Sequence, residues 1–142
     1  MRGERDMSEQ IEIESIDGSG CSRPGIFLLS ESGDGSVALT FSDDSQTVIQ
    51  AADDFFEALC KVRLELEKQG IRLKCYGGSR NVYPSAMSQG MGVGRKAYKL
   101  SLGSHARLAD IVDIFDTGPD IELSTVKEQK EFFQQWLDGL AR

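Results

Sequence analysis

Apolar residues along this chain recur at two spacings, one characteristic of strands and the other of helices. Ile11-Glu12-Ile13 alternates and runs into Asp17-Gly18-Ser19-Gly20, which predicts a short strand and a turn. Ile26 to Leu29 follows Pro24-Gly25 and stops at the turn cluster Ser32-Gly33-Asp34-Gly35. Val37 to Phe41 then alternates again, so the two runs predict a hairpin. Asp43, Asp44 and Ser45 are suitable helix N-caps, and after them Val48, Ala52, Phe55, Leu59, Val62 and Leu66 recur at three- and four-residue steps as far as Gln69-Gly70. One long amphipathic helix is predicted there. Its solvent face would carry Asp53, Glu57, Lys61 and Glu65, with Glu57 and Lys61 in the favourable i, i+4 order.

Beyond Gly70, Ile71 to Tyr76 alternates and predicts a strand, whereas residues 77 to 94 are rich in Gly and Ser with no apolar period and read as a long loop. Lys96 to Leu102 and Ile111 to Phe115 are two further strands. Thr125-Val126-Lys127-Glu128 has capping-box spacing ahead of a stripe of Phe132, Phe133, Trp136, Leu137 and Leu140, which predicts a closing helix. The expected fold is α+β, an antiparallel or mixed sheet of about five to six strands packed against two helices. A chain of 142 residues suits one core, so residues 8–142 are expected to form a single domain. Residues 1–7, charged and without an apolar pattern, are expected to be a disordered extension, and Met7 is an alternative start.

Composition narrows the function classes modestly. With 39% hydrophobic and 27% charged residues the chain is of ordinary globular type. Its longest apolar runs, such as Ile26 to Leu29, fall far short of the roughly 20 residues of a membrane span, and the N-terminus lacks the apolar core of a secretory signal. A cytoplasmic location with no membrane association is therefore expected. Cys21, Cys60 and Cys75 have neither metal-knuckle nor Cys-x-x-Cys spacing and read as buried free thiols. No cofactor or metal is called for by any cluster of ligating residues.

Charge changes the picture more. Residues 1–60 carry 13 acidic and 3 basic side chains, residues 61–107 carry 2 and 10, and residues 108–142 carry 8 and 3, giving a net charge of -7. Between Ile71 and Arg107 there is no carboxylate, only Arg72, Lys74, Arg80, Arg95, Lys96, Lys99 and Arg107. Such a segment would suit phosphate contacts, with Tyr76, Tyr83 and Tyr98 to stack on bases. The acidity of the rest would repel a polyanion, which argues against nucleic acid, and ion pairs with the acidic flanks account for the basic segment without any ligand. The acidic side chains Asp43, Asp44, Asp53, Asp54 and Glu57, close in sequence, suit a basic protein partner; a solvated helix face accounts for them equally.

Four other constellations carry candidate chemistry. The 77–94 loop holds Arg80, Tyr83, Met87 and Met91, residue types that contact surfaces favour and that also fold loops onto cores. Gly90-Met91-Gly92-Val93-Gly94-Arg95-Lys96 offers amides and cations to an anion, but lacks the glycine spacing and helix start of a P-loop. His105, the only histidine, has no triad context, and Asp110, Asp113 and Asp116 cannot share one face of a strand.

Cys75-Tyr-Gly-Gly-Ser-Arg-Asn-Val-Tyr-Pro-Ser-Ala-Met87, with Met91-Gly-Val-Gly94, Ala97-Tyr-Lys-Leu100 and Asp110-Ile-Val-Asp-Ile-Phe-Asp116, resembles small uncharacterised bacterial proteins over about residues 50 to 140. A chain of this size and acidity is similar to the immunity proteins that accompany polymorphic toxins, although it matches no defined immunity motif. The resemblance implies a cytosolic protein that binds a cognate toxin domain, and implies no catalytic residues. The leading expectation is thus a non-enzymatic interaction module that uses Asp53, Asp54, Glu57, Tyr83 and Met87. The alternative is a binding protein or enzyme that holds a phosphate-bearing ligand with Arg80, Arg95 and Lys96.

Overall fold

The computed structural model describes residues 9–84 and 94–140. The N-terminal extension, Met87, Met91 and most of the glycine run at 90–94 therefore lie outside the described residues. Four strands come first: β1 (Glu9–Ile16), β2 (Ser22–Glu31), β3 (Val37–Ser42) and β4 (Thr47–Ala52). Helix α1 (Phe55–Glu67) follows, then β5 (Arg72–Leu73), β6 (Val82–Tyr83), β7 (Lys96–Lys99), β8 (Ile111–Asp113) and helix α2 (Val126–Leu140). One antiparallel sheet has the order β4-β3-β2-β1-β5 and a second has β6-β7-β8. The α+β class expected from the sequence is the one observed, with the strands divided between two sheets.

The first sheet is a meander whose turns are set by aspartates. Asp17 Oδ1 accepts the Ser19 and Cys21 amides at 2.9 and 3.0 Å, and Asp43 Oδ1 accepts those of Ser45 and Gln46 at 2.8 and 3.0 Å. Alternation then assigns faces. Ile13, Phe27, Leu29, Leu39 and Phe41 point inward onto Phe55, Leu59, Val62 and Leu66 of α1, while Leu28, Thr40 and Ile49 point outward in one cross-strand row. The sheet curls around α1, and Gln46 ahead of β4 exchanges two amide hydrogen bonds with Gln69 beyond α1, at 2.9 and 2.7 Å. Val82, Ala97, Ile114 and Phe115 of the second sheet region join the same core.

The long helix expected from Asp43 to Gln69 is instead a strand followed by a shorter helix. Val48 and Ala52 are four residues apart, a spacing that one helix face and one strand face both satisfy. The choice is made by β3, whose edge pairs with Thr47–Ala52 residue by residue. Asp43 to Ser45 consequently form a hairpin turn, and the helix cap is Asp54, whose carboxylate accepts the Glu57 amide at 2.8 Å. The strands expected at 71–76, 96–102 and 111–115 shrink to β5, β7 and β8. The capping box at α2 forms as expected, with Glu128 N to Thr125 Oγ1 at 3.0 Å and Thr125 N to Glu128 Oε1 at 2.9 Å.

A polar cluster joins the two halves. Arg63 on α1 is 3% exposed and donates to the Gly77 carbonyl at 3.0 Å, the Ser124 carbonyl at 3.1 Å and Gln129 Oε1 at 2.5 Å. Gln129 on α2 in turn has its amide nitrogen 2.8 to 2.9 Å from the Gly77, Ser79 and Val82 carbonyls, which share its two hydrogens. Glycine is required where the chain passes this point, since a side chain at Gly77 would run into Leu59 and Ile114. Replacing Gln129 by leucine keeps the volume and strips Arg63 and three carbonyls of a partner. Urea denaturation of Gln129→Leu should therefore show a loss of about 3 kcal/mol, against under about 0.5 kcal/mol for Gln135→Leu on the exposed face of α2.

Candidate functional site

The basic segment is matched by acids from the flanking chain. Lys74 lies 3.7 Å from Glu14, Arg80 3.2 Å from Glu122, Lys99 3.1 Å from Asp120 and Arg107 3.7 Å from Asp110. Arg95 is held by Glu9 at 2.7 Å and Asp113 at 3.2 Å, and Asp113 is 3.9 Å from Lys96. Partial burial opposes the Arg95 charge, but the Glu9 and Asp113 carboxylates more than offset it and raise its pKa. Asp120 is held below the usual carboxylate range by the Tyr76 hydroxyl at 2.7 Å and by Lys99. Six of the seven cations between Ile71 and Arg107 thus meet a carboxylate within the chain.

Those pairings draw on β1 and on residues 110–122, and they leave most acids of the β1–β4 sheet without a cation among the described residues. A groove of about 790 Å³ crosses the outer surface of that sheet. Glu12 and Glu14 of β1 stand on one side, and Asp43 and Asp44 of the β3–β4 turn on the other. Its floor is apolar, from Pro24, Gly25 and Ile26 of β2, and among the described residues Lys74 is the one cation that lines it. Glu14 is partly engaged already, by Lys74 and by the Ser22 hydroxyl. The floor continues into an uncharged surface in which Leu28 is 41% and Ile49 64% exposed. An apolar floor rimmed mainly by carboxylates is complementary in charge and polarity to a basic surface that carries apolar groups.

The residues singled out from sequence are dispersed by the fold. β4 separates Asp43 and Asp44 from Asp53 and Asp54 by its full length, roughly 20 Å. Asp54 is committed to capping α1, and the Asp53 amide donates to Glu57 Oε1 at 3.3 Å. Lys61 donates to the Ala51 carbonyl at 2.9 Å. Tyr83 is sandwiched in the protein, edge-on to Phe56 at 5.2 Å and stacked on Phe133 at 4.1 Å. Met87 lies outside the described residues. Arg80 stacks on Phe132 at 4.6 Å, beyond the Lys99 end of β7, while Arg95 and Lys96 share Asp113 at its other end. Glu12 and Glu14 carry no distinctive sequence signal, because alternating glutamates are what any solvent-facing strand carries; the unbroken run Ile26 to Leu29, which must put Ile26 and Leu28 on the face opposite Phe27 and Leu29, is the signal the sequence offers for this surface.

His105 is exposed in the segment after β7. Among the described residues no group of three His, Cys, Asp or Glu side chains is placed to hold a metal, and no helix is long and apolar enough to cross a membrane. Cys75 is buried, as expected, and Cys60 half-buried, but Cys21 is exposed, because the Asp17 turn carries it to the surface. No known family model and no curated protein matches this chain.

Burial pushes the Cys75 thiol up to about 11 and raises that of Cys60, so at pH 8 only about one Cys75 in a thousand is thiolate. A disulfide reagent at pH 8 should therefore label Cys21 in a fast phase that Cys21→Ser removes. Cys75 should react only as the protein unfolds, a sequence that thiol-specific mass mapping checks.

Proposed function

We propose that this chain is a non-enzymatic protein-interaction module whose acidic groove receives a basic protein partner. The observation that carries the reading is the separation of charge. Six of the seven cations of residues 71–107 are paired with carboxylates within the chain, while Glu12, Glu14, Asp43 and Asp44 rim an apolar floor with Lys74 the one cation among the described lining residues. Complementary potential of this kind speeds encounter with a cationic surface and excludes acidic ones. The specific form proposed is immunity-like: neutralisation of a cognate toxin in the cytoplasm by covering a basic face. Its support is the resemblance of residues 50 to 140 together with the net charge of -7. The alternative, a phosphate-bearing ligand held by Arg80, Arg95 and Lys96, lacks comparable support, since each cation faces a carboxylate and Arg80 stands apart from the other two.

The test is affinity capture from the source cell's lysate at low and at physiological salt, with mass spectrometry of what is retained. One basic protein near equal stoichiometry is expected. Its affinity should fall about a hundredfold for Glu12→Lys with Asp44→Lys and less than about threefold for Asp53→Lys at the far end of β4. Retention of nucleotides or another small anion in place of a protein, or a partner indifferent to the double reversal, would overturn the reading.

A further inference from the structure

The groove ends at a strand edge that is only partly paired. β1 is bonded along its whole length to β2, but on its other side β5 covers only Ser15 and Ile16, and the Lys74 amide reaches the Glu14 carbonyl at 2.9 Å before the chain turns away. Strand geometry then fixes the direction of the remaining groups. Since Glu14 presents its carbonyl to the β5 side, Glu12 and Gln10 present their N–H and C=O groups to that side as well. No backbone group among the described residues bonds them there. Among the described residues the lane that β5 begins is thus unpaired opposite Gln10 to Ile13, about four residues, and Glu12, Ile13, Glu14, Lys74 and Thr117 line the groove beside it.

We infer that the partner of this groove enters as an extended segment that adds to the open edge of β1, in the lane that β5 begins, with basic side chains at alternate positions. The inference rests on the acidic-groove reading and deepens it by giving the partner a conformation and a sequence pattern. An added strand would satisfy the Gln10 and Glu12 backbone groups as an ordinary ladder does. Every second side chain would stand on the outer face, as the cross-strand neighbour of Gln10 or Glu12, beyond Lys74, which already takes the place opposite Glu14, and lysine or arginine beside Glu12 is matched by charge. The intervening side chains would face the opposite surface, beside Ile11 and Ile13, and are expected to be apolar. Exposed strand edges are ordinarily blunted by lysine, proline or a covering loop. Here the described edge carries glutamates, which admit a cationic strand and repel an acidic one.

The probe is a capped octapeptide of alternating lysine and valine, with the glutamate–valine peptide of the same length as control, added to isotopically labelled full-length protein. The lysine peptide should slow hydrogen exchange of the Gln10 and Glu12 amides by about tenfold or more, and the glutamate peptide should not bind. Gln10→Pro removes an open-side N–H without costing a bond to β2 and keeps every carboxylate, so it should fold and lose about tenfold or more in affinity for the lysine peptide. If the lysine peptide binds Gln10→Pro as well as the parent, with shifts at Ile26 and Asp44 but unchanged exchange at Gln10 and Glu12, strand addition is overturned while the acidic groove stands. If the lysine peptide does not bind, or the glutamate peptide binds equally, both are overturned.

Discussion

A buried guanidinium that forms no ion pair with any carboxylate among the described residues is the constraint on which the two halves of this protein depend. Desolvation disfavours the charge on Arg63 and lowers its pKa, so the cation persists only where hydrogen bonds replace water. Backbone carbonyls from Gly77 and Ser124 and the side chain of Gln129 supply them. Each supplier comes from a different segment, which makes the positions of α1, the 77–82 segment, the chain before α2 and α2 itself mutually dependent. Removing one partner from such a cluster leaves the others buried and unsatisfied, so its members are far more sensitive than their number suggests. The Ser79 hydroxyl, accepting the Glu122 amide at 2.9 Å, extends the same web to the edge of the second sheet.

Around this centre the charges are arranged by sign. The ion pairs between the 71–107 segment and its flanks are largely exposed, and pairs of that kind contribute little to stability, on the order of 0 to 1 kcal/mol each. Their consequence is for the surface field. By neutralising the basic segment they leave the net charge of -7 expressed mainly on the five-stranded sheet, where the groove, the open edge of β1 and the uncharged surface of Leu28, Thr40 and Ile49 adjoin. Long-range attraction, apolar contact and backbone pairing are thereby offered on one side of the molecule.

Hydrophobic period and turn chemistry made much of this legible in the residues alone. The β2–β3 hairpin, the apolar face of α1 from Phe55 to Leu66 and the capping box of α2 all follow from interactions between near neighbours in the chain, which sequence records directly. So does the presence of a basic block that acidic flanks could neutralise. Asp43, Asp44 and Ser45 mark a change of direction, but that change is a hairpin turn and not a helix start, since Asp and Ser serve both by the same hydrogen bonds to backbone amides.

Tertiary structure alone decided the rest. Val48 and Ala52 fit a helix and a strand equally, and only the waiting edge of β3 chose between them. That choice moved Asp43 and Asp44 to one end of the sheet and Asp53 and Asp54 to the other, and so dissolved the acidic cluster that sequence proximity implied. Alternation alone determined that Glu12 and Glu14 face solvent, but their meeting with Ile26, Asp43 and Asp44 around one groove comes from the pairing of β1 with β2 and of β2 with β3. Local patterns encode which face a residue takes, because that depends on its neighbours in the chain. Which residues share a surface depends on strand order and curvature, and those are set by contacts between segments that no local pattern contains.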